Sequence, residues 1–272
     1  SFSTQGLRME GLSLGLTVDR TPKSASYWVL VRSNANFRNL WTGEIISLLG
    51  DWFNLVASAA LIAQLSGTGF AIGTLFVVRM LAPFAISPLA GVVADRYNRR
   101  NILITTDIIR ALIVLCFLFV TEPHHIWLLY VLTALQLGVS GFFFPARSAL
   151  LPDIVSEQEL GAANALSSMT WSVMLALGAA LGGVAAGIWG IYPAFVIDAL
   201  TFVLSAFFIA RVSSKSVDID GTSIHRGFQQ FLDGLRYLRQ HVDISIIALH
   251  KAASALFVSG FQVVQVIIAE SL

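Results

Sequence analysis

Eight ionisable side chains lie inside the long apolar runs of this sequence, where an isolated charge would be costly. Four are acids and four are bases, so their formal charges sum to zero. If the runs cross a bilayer, a lone charge at its centre costs about 2.5 to 3.5 kcal/mol, so such groups should pair, face the protein interior or line water. The balance favours pairing. The acids are Glu44, Asp51, Asp107 and Asp198, and the bases are Arg79, Arg110, Arg147 and Lys251.

The first apolar run carries a polar stripe along one helical face. Glu44, Ser47, Asp51, Asn54 and Ser58 recur at steps of three and four, which is the spacing of one face of an α-helix. Lipid does not solvate such a face, so we expect it to border a water-accessible cavity, and the alternative is that its charges only lock helices together. A carboxylate in a cavity can bind and release a proton, which makes Asp51 and Glu44 the candidates for proton coupling.

Other runs are expected to add polar groups to the same interior. Asp51 and Arg79 lie at similar depths when counted from opposite membrane surfaces, which predicts that they interact. Asp107 and Arg110 are three residues apart and are therefore neighbours on one helix face. The fourth run carries a second polar stripe at Thr133, Gln136, Ser140 and Arg147. The predicted coupling and cavity residues are Glu44, Asp51, Asn54, Arg79, Asp107, Arg110, Gln136 and Asp198.

The elements that position these residues are predicted to be transmembrane helices in an all-α, polytopic membrane protein. The 272-residue chain is 56% hydrophobic and 12% charged, with a mean hydropathy of +0.76, whereas a soluble domain carries about 25% charged residues. A membrane-crossing helix needs about 20 mainly apolar residues, while barrel strands are alternating segments of about ten. Seven runs are long enough for helices: residues 40–65, 70–93, 102–120, 126–151, 162–189, 192–210 and 244–269.

Lys and Arg residues define the expected orientation, because cytoplasmic loops retain them. They cluster before the first run, between the second and third runs, and after the sixth. The connections 66–69, 121–125 and 190–191 contain none. We therefore expect an integral, multi-pass protein of the cell membrane with a cytoplasmic N-terminus.

The runs divide the chain into four expected regions. Residues 1–36 form a cytoplasmic tail and residues 37–211 a six-helix unit. Residues 212–243 form a cytoplasmic linker with an amphipathic helix, and residues 244–272 hold the first transmembrane helix of a second, truncated half. The chain starts at Ser1 rather than Met, which suggests a fragment. In the fifth run, close helix packing is expected at two small-x-x-x-small pairs, Gly178 with Gly182 and Gly183 with Gly187.

Several other classes of function are disfavoured by the sequence. The net charge of +1 offers no basic field for nucleic acid. The single cysteine, Cys116, builds neither a disulfide framework nor a cysteine metal cluster, and the adjacent His124 and His125 lack further ligands nearby. We find no zinc-protease, serine-hydrolase or nucleotide-binding motif. We therefore expect no enzyme, no catalytic residue, no cofactor and no bound metal.

The connection between the second and third runs carries a specific motif, Gly91-Val-Val-Ala-Asp95-Arg96-Tyr97-Asn98-Arg99-Arg100. It resembles the G-x-x-x-D-R-x-G-R-R loop of the major facilitator superfamily and lies where that family has it. We expect Gly91 to allow close helix approach, Asp95 to cap a helix, and the arginines Arg96, Arg99 and Arg100 to pair with acids such as Asp153. Asn98 replaces the family's glycine, which fits a positive φ because Asn adopts that conformation more readily than most residues.

Other segments resemble the drug-exporter branch of that superfamily, which includes macrolide-efflux and siderophore-export proteins. The antiporter signature G-P-x-x-G-G reads here as Gly178-Ala-Ala-Leu-Gly182-Gly183, without its proline. The resemblance implies twelve helices in two halves that rock around a central cavity, with the Gly91-to-Arg100 loop as a conformational latch on the missing C-terminal half. The matching segments are Ser47–Trp52, Phe144–Arg147, Ala163–Ala165 and Asp198–Phe202.

These observations predict a secondary active transporter that exports a small amphipathic or drug-like molecule, coupled to a proton gradient across the lipid bilayer. The expected lining of Asp51, Asn54, Gln136, Trp52 and Phe143 suits an amphipathic, cationic molecule. A lysophospholipid or siderophore transporter of the same superfamily is the alternative. Seven runs with Lys251 in the last also prompt a seven-helix receptor or retinal-binding protein, which the expected cytoplasmic N-terminus disfavours.

Overall fold

A computed structural model describes residues 27–213 and a few separate positions between 236 and 254. The described residues form α-helices and two short 3₁₀ turns, with no strand among them. Six helical segments are long and apolar enough to cross a membrane, with α5 and α6 together forming one of them. The helices are α1 (Tyr27–Ser33), α2 (Ala35–Ser66), α3 (Gly69–Arg96), α4 (Arg99–Cys116), α5 (Ile126–Ser140), α6 (Phe143–Ile154), α7 (Glu157–Trp189) and α8 (Ile191–Ala210).

Local capping signals account for the ends of the long helices. Asn34 caps α2 by accepting a hydrogen bond from the backbone N–H of Phe37 at 3.0 Å. The helix ends at Gly67, whose φ of 63° is in the left-handed region that favours glycine. The predicted capping box of Ser156 and Glu159 is confirmed at the start of α7. The turns that reverse the chain are therefore encoded locally.

The structure differs from the predicted element boundaries in two places. The last part of the predicted tail forms α1, whose Leu30 is fully buried. The fourth predicted run is interrupted between α5 and α6, around Gly141 and Phe142. The expected linker helix and seventh transmembrane helix lie outside the described residues.

Helix α2 is the central element of the bundle and packs along both α8 and α7. Small residues permit both approaches. A Cβ atom on Gly50 would overlap the side chains of Thr201 and Asp198 of α8, and one on Gly43 would lie 3.2 Å from the Ser205 carbonyl oxygen. Tight packing against α8 therefore depends on a glycine every second turn of α2.

Only one of the two predicted glycine pairs in α7 is at a helix contact. A Cβ atom on Gly178 would overlap the indole ring of Trp52, and one on Gly182 would lie 3.0 Å from the Trp52 carbonyl oxygen. Gly183 and Gly187 have no described atom within 4 Å of such a Cβ. The reason is rotation along the helix, since residues one position apart face about 100° away from each other.

Candidate functional site

A cavity of about 540 Å³ opens between α2, the α5–α6 segment and α7. It lies beside the polar stripe of the first transmembrane helix, where the sequence predicted one. Its wall combines two ion pairs, several hydroxyl groups and four large apolar side chains. The lining residues are Glu44, Ser47, Leu48, Asp51, Arg110, Ser140, Phe143, Phe144, Arg147, Ser148, Asn164, Ser167, Ser168, Trp171 and Ser172.

The first ion pair of the cavity joins α2 to α6. The Arg147 Nε lies 3.0 Å from the Glu44 Oε1. Ser167 of α7 donates a hydrogen bond to Glu44 Oε2 at 3.2 Å and accepts one from Arg147. A single three-residue cluster thus ties three helices together at the cavity wall, and each partner offsets part of the desolvation of the others.

The second ion pair joins α2 to α4 and corrects one prediction. Asp51 binds Arg110 through both carboxylate oxygens, at 2.6 and 2.7 Å from one guanidinium nitrogen. Arg79, the predicted partner, makes no ion pair with Asp51 within 4.0 Å, although Asp51 acts on it electrostatically. Depth counted along the sequence does not by itself select a partner, because the partner also depends on which helix face each residue occupies, and α4 presents Arg110 to Asp51.

Arg110 is the most highly connected of the buried charges. Besides Asp51, its guanidinium lies 3.6 Å from the Asp107 carboxylate. It also lies 3.9 Å from the ring centroid of Phe202, at cation–π distance. Only 3% of its side chain is exposed. The predicted contact between Asp107 and Arg110 is therefore present, within a larger cluster.

Five of the eight predicted cavity residues are not among those that line the cavity. Asn54, Asp107, Gln136 and Asp198 are fully buried behind its wall. Arg79 is half-buried and one of its terminal nitrogens has no hydrogen-bond partner among the described residues. The predicted aromatic Trp52 packs against Gly178 instead of facing the cavity. Glu44, Asp51 and Arg110 do line it.

The α7 wall of the cavity was missed by the sequence analysis. Ser168 and Ser172 line it with Trp171, whose surface is 58% exposed, and Phe144 of α6 is 71% exposed. The signal was the recurrence of small polar residues at steps of four in the first half of α7, at Asn164, Ser168 and Ser172. Hydroxyl groups and aromatic faces together suit an amphipathic ligand.

The Gly91-to-Arg100 loop joins α3 to α4, and its arginines contact α6 and α8 at one end of the bundle. Arg99 forms a 2.7 Å ion pair with Asp153, as predicted, and donates to the Ala149 carbonyl oxygen at 3.1 Å. Arg100 donates to the carbonyl oxygens of Ile209 and Ala210 at the end of α8. A cation at a helix C-terminus is favourable because unpaired carbonyl groups concentrate there.

Three details of this loop correct the sequence interpretation. Asn98 has a φ of −56° and caps α4 by accepting from the Asn101 N–H, so it does not occupy a glycine-like conformation. Asp95 lies in the last turn of α3, exposed, and caps no helix N-terminus. A Cβ atom on Gly91 would meet no described atom within 4 Å. In residues 27–213, neither Asp95 nor Arg96 forms an ion pair.

Two candidates from the sequence remain, the adjacent His124 and His125 and the Lys251 of the seventh run, and neither forms a site in the described part of the chain. His124 contacts Glu122 at 3.1 Å in an exposed turn, and no group of three metal-ligating side chains occurs among the described residues. Lys251 lies outside them.

Six membrane-length helices, with a cavity walled by two ion pairs among them, define a helical membrane protein. The profile of the Major Facilitator Superfamily matches residues 40–269 of the sequence. The chain therefore belongs to the Major Facilitator Superfamily.

Curated relatives include several proteins named as exporters. The chain is 30% identical over 233 residues to the uncharacterized MFS-type transporter YfiS of Bacillus subtilis (strain 168), covering 84% of this chain and 55% of that one. It is 30% identical over 204 residues to the putative bacilysin exporter BacE of the same strain, covering 75% and 51%. It is 22% identical over 216 residues to macrolide efflux protein A of Streptococcus pyogenes, covering 78% and 53%. The chain thus spans about half the length of these relatives.

Proposed function

We propose that this chain forms the N-terminal half of a secondary active transporter that exports a small amphipathic molecule in exchange for protons. The observation that carries the proposal is the cavity in which two carboxylates, Glu44 and Asp51, are each held by an arginine. Family membership supports transport, and relatives named for bacilysin, macrolide and multidrug export support the outward direction.

The cavity supports an amphipathic substrate through its mixed wall. Trp171 and Phe144 expose aromatic surface, while Ser168 and Ser172 offer hydroxyl groups beside them. Such surfaces bind apolar bodies and orient polar substituents. A drug-like molecule, a lysophospholipid and a siderophore all combine these features, and we favour the drug-like molecule because the named relatives include macrolide and multidrug exporters.

Coupling is proposed to occur at the ion pair between Asp51 and Arg110. A proton or a cationic substrate group that binds Asp51 competes with Arg110 for the same two oxygens, because the carboxylate is fully engaged at 2.6 and 2.7 Å. Alternating access then follows from rocking of the two halves. The Gly91-to-Arg100 loop is proposed as the latch, its open Gly91 surface facing the C-terminal half. We propose that the protein lies in the cell membrane with its N-terminus in the cytoplasm.

The test uses the full-length gene product in everted membrane vesicles with a fluorescent amphipathic cation such as ethidium. An imposed pH gradient should drive accumulation of the dye, and Asp51→Asn should abolish it at normal expression. Glu122→Gln is the control, because this exposed carboxylate lies in a turn outside the cavity. Undiminished gradient-driven accumulation in the Asp51→Asn variant would refute coupling at this pair.

A further inference from the structure

The carboxyl group of Asp198, in the middle of the bundle on α8, has no charged partner that accounts for its burial. It is fully buried. Within the described residues the Asn54 side chain is a neutral donor beside it, and neither carboxyl oxygen accepts a hydrogen bond of good geometry. No Lys, Arg or His nitrogen in that part of the chain lies within 4.0 Å of it. An ionised carboxylate is therefore unexpected at this position, because burying an unpaired charge is costly.

The charges that surround Asp198 lead to the same conclusion. Asp51 on α2, Arg79 on α3 and Arg110 on α4 act on it electrostatically, and Asp107 contacts Arg110 from the same helix. Three ionised carboxylates against two guanidinium groups would leave one unbalanced negative charge in the interior. The Glu44 and Arg147 pair is neutral by itself and does not change this balance. One positive charge, or one proton, is needed for neutrality.

Asp198 is the carboxyl group best placed to hold that proton. Asp51 is 23% exposed and already accepts two hydrogen bonds from Arg110. Asp107 has the Arg110 guanidinium at 3.6 Å. Asp198 is as fully buried as Asp107 but has no Lys, Arg or His nitrogen within 4.0 Å among the described residues, and the Asn54 amide beside it is neutral. Of the three carboxyl groups, Asp198 gives up the least favourable interaction with arginine or solvent when it is protonated.

Arg110 is positioned to exchange one carboxylate for the other. Its guanidinium lies 3.9 Å from the ring centroid of Phe202 on α8. Phe202 is four residues from Asp198, which corresponds to a rise of about 6 Å along the helix. Arg110 therefore contacts α8 about one helical turn from the Asp198 carboxyl group while it binds Asp51.

We propose that Asp198 is a buried proton-binding site whose proton is displaced by Arg110 when Arg110 leaves Asp51. The N–H groups of Arg110 then pair with the Asp198 carboxylate, and the Asp198 proton passes to water in the cavity. Asp51 is left to bind one incoming cationic group. One positive charge enters and one leaves, so the interior keeps its charge. The role of this site in transport rests on the proposed function, whereas the location of the proton does not.

Infrared spectroscopy of the full-length protein in lipid nanodiscs tests the proton directly. At neutral pH we expect a C=O band of a protonated carboxylic acid that shifts in D₂O. Asp198→Asn should remove this band, and Asp198→Glu should shift it, which identifies the residue even where the first variant folds poorly. Asp153→Asn is the control and should leave the band unchanged, because Asp153 is partly exposed and paired at the bundle end.

Three further variants test the exchange and separate this proposal from a proton on Asp51. In Asp51→Asn, the freed Arg110 should ionise Asp198 and the band should disappear. In the double variant Asp51→Asn with Arg110→Gln, no arginine is released and the band should return; its absence would contradict the exchange. In Asp51→Glu the band should stay in place, and a band that shifts there but not in Asp198→Glu would put the proton on Asp51 and overturn the proposal.

Two outcomes distinguish the site from the function that uses it. A band assigned to Asp198 in a protein without gradient-driven efflux refutes the proposed proton coupling and leaves the proton site standing. Efflux without any such band, or a band removed by added Na⁺ at constant pH, overturns the proton site at Asp198.

Discussion

The two glycine pairs of α7 give a sharp packing prediction, because they share a helix and a sequence pattern but differ in their surroundings. Gly178→Ala places a methyl group against the indole ring of Trp52, whereas Gly183→Ala places it where no described atom lies within 4 Å. Both variants gain the same helix propensity, about 1 kcal/mol, so this contribution cancels in their difference. Forcing a methylene group into a packed contact costs about 1 to 3 kcal/mol.

The expected result is that Gly178→Ala is about 1 to 3 kcal/mol less stable than Gly183→Ala. The assay is thermal unfolding of the purified full-length protein in detergent, with tryptophan fluorescence as the signal. Gly178→Ala should unfold several degrees below Gly183→Ala, and this difference should shrink when both substitutions are made in a Trp52→Ala background, which lacks the indole ring. Equal unfolding temperatures for the two single variants would refute the close contact between α2 and α7.

Three further predictions concern the ion pairs and the loop. Arg110→Gln should destabilise the protein by about 3 to 5 kcal/mol because it leaves Asp51 without its buried partner, and adding Asp51→Asn should recover much of this in thermal unfolding; additive losses would contradict the pair. Asp153→Asn should cost only about 0 to 1 kcal/mol, since its bond to Arg99 is partly exposed; a loss comparable with that of Arg110→Gln would argue against this ranking. Asn98→Ala should cost about 1 kcal/mol as a lost helix cap, and Asn98→Gly only a few tenths; a stabilised Asn98→Gly would instead indicate a positive φ.

The helices and their order were predictable because each is encoded within its own segment. Run length and hydropathy located the spans, and the Ser156 capping box located the start of α7. The break between α5 and α6 was not predicted, because Gly141 lies in an otherwise continuous apolar run. Helix α1 was missed because a seven-residue helix produces little periodic signal.

The site was predictable in its chemistry but not in its pairing. Polar residues at helical spacing identified Glu44 and Asp51 as cavity groups, and the structure places both in its wall. Asp51 was assigned to Arg79 because depth in the membrane was the only coordinate available from the sequence. Which of Arg79 and Arg110 pairs with Asp51 depends on the rotation of each helix about its own axis, which the sequence does not give.

If the ion-paired cavity is a water-accessible path rather than a locked helix interface, its wall should react with aqueous reagents. The most direct measurement is thiol labelling of Ser168→Cys in a cysteine-free, full-length background with a membrane-impermeant maleimide. Ser168 lines the cavity, whereas Leu200 is 61% exposed on an apolar surface of α8 and is expected to face lipid. Ser168→Cys should react rapidly from one side of the membrane, and Leu200→Cys should not react. Absence of labelling at Ser168→Cys from either side of the membrane would contradict it.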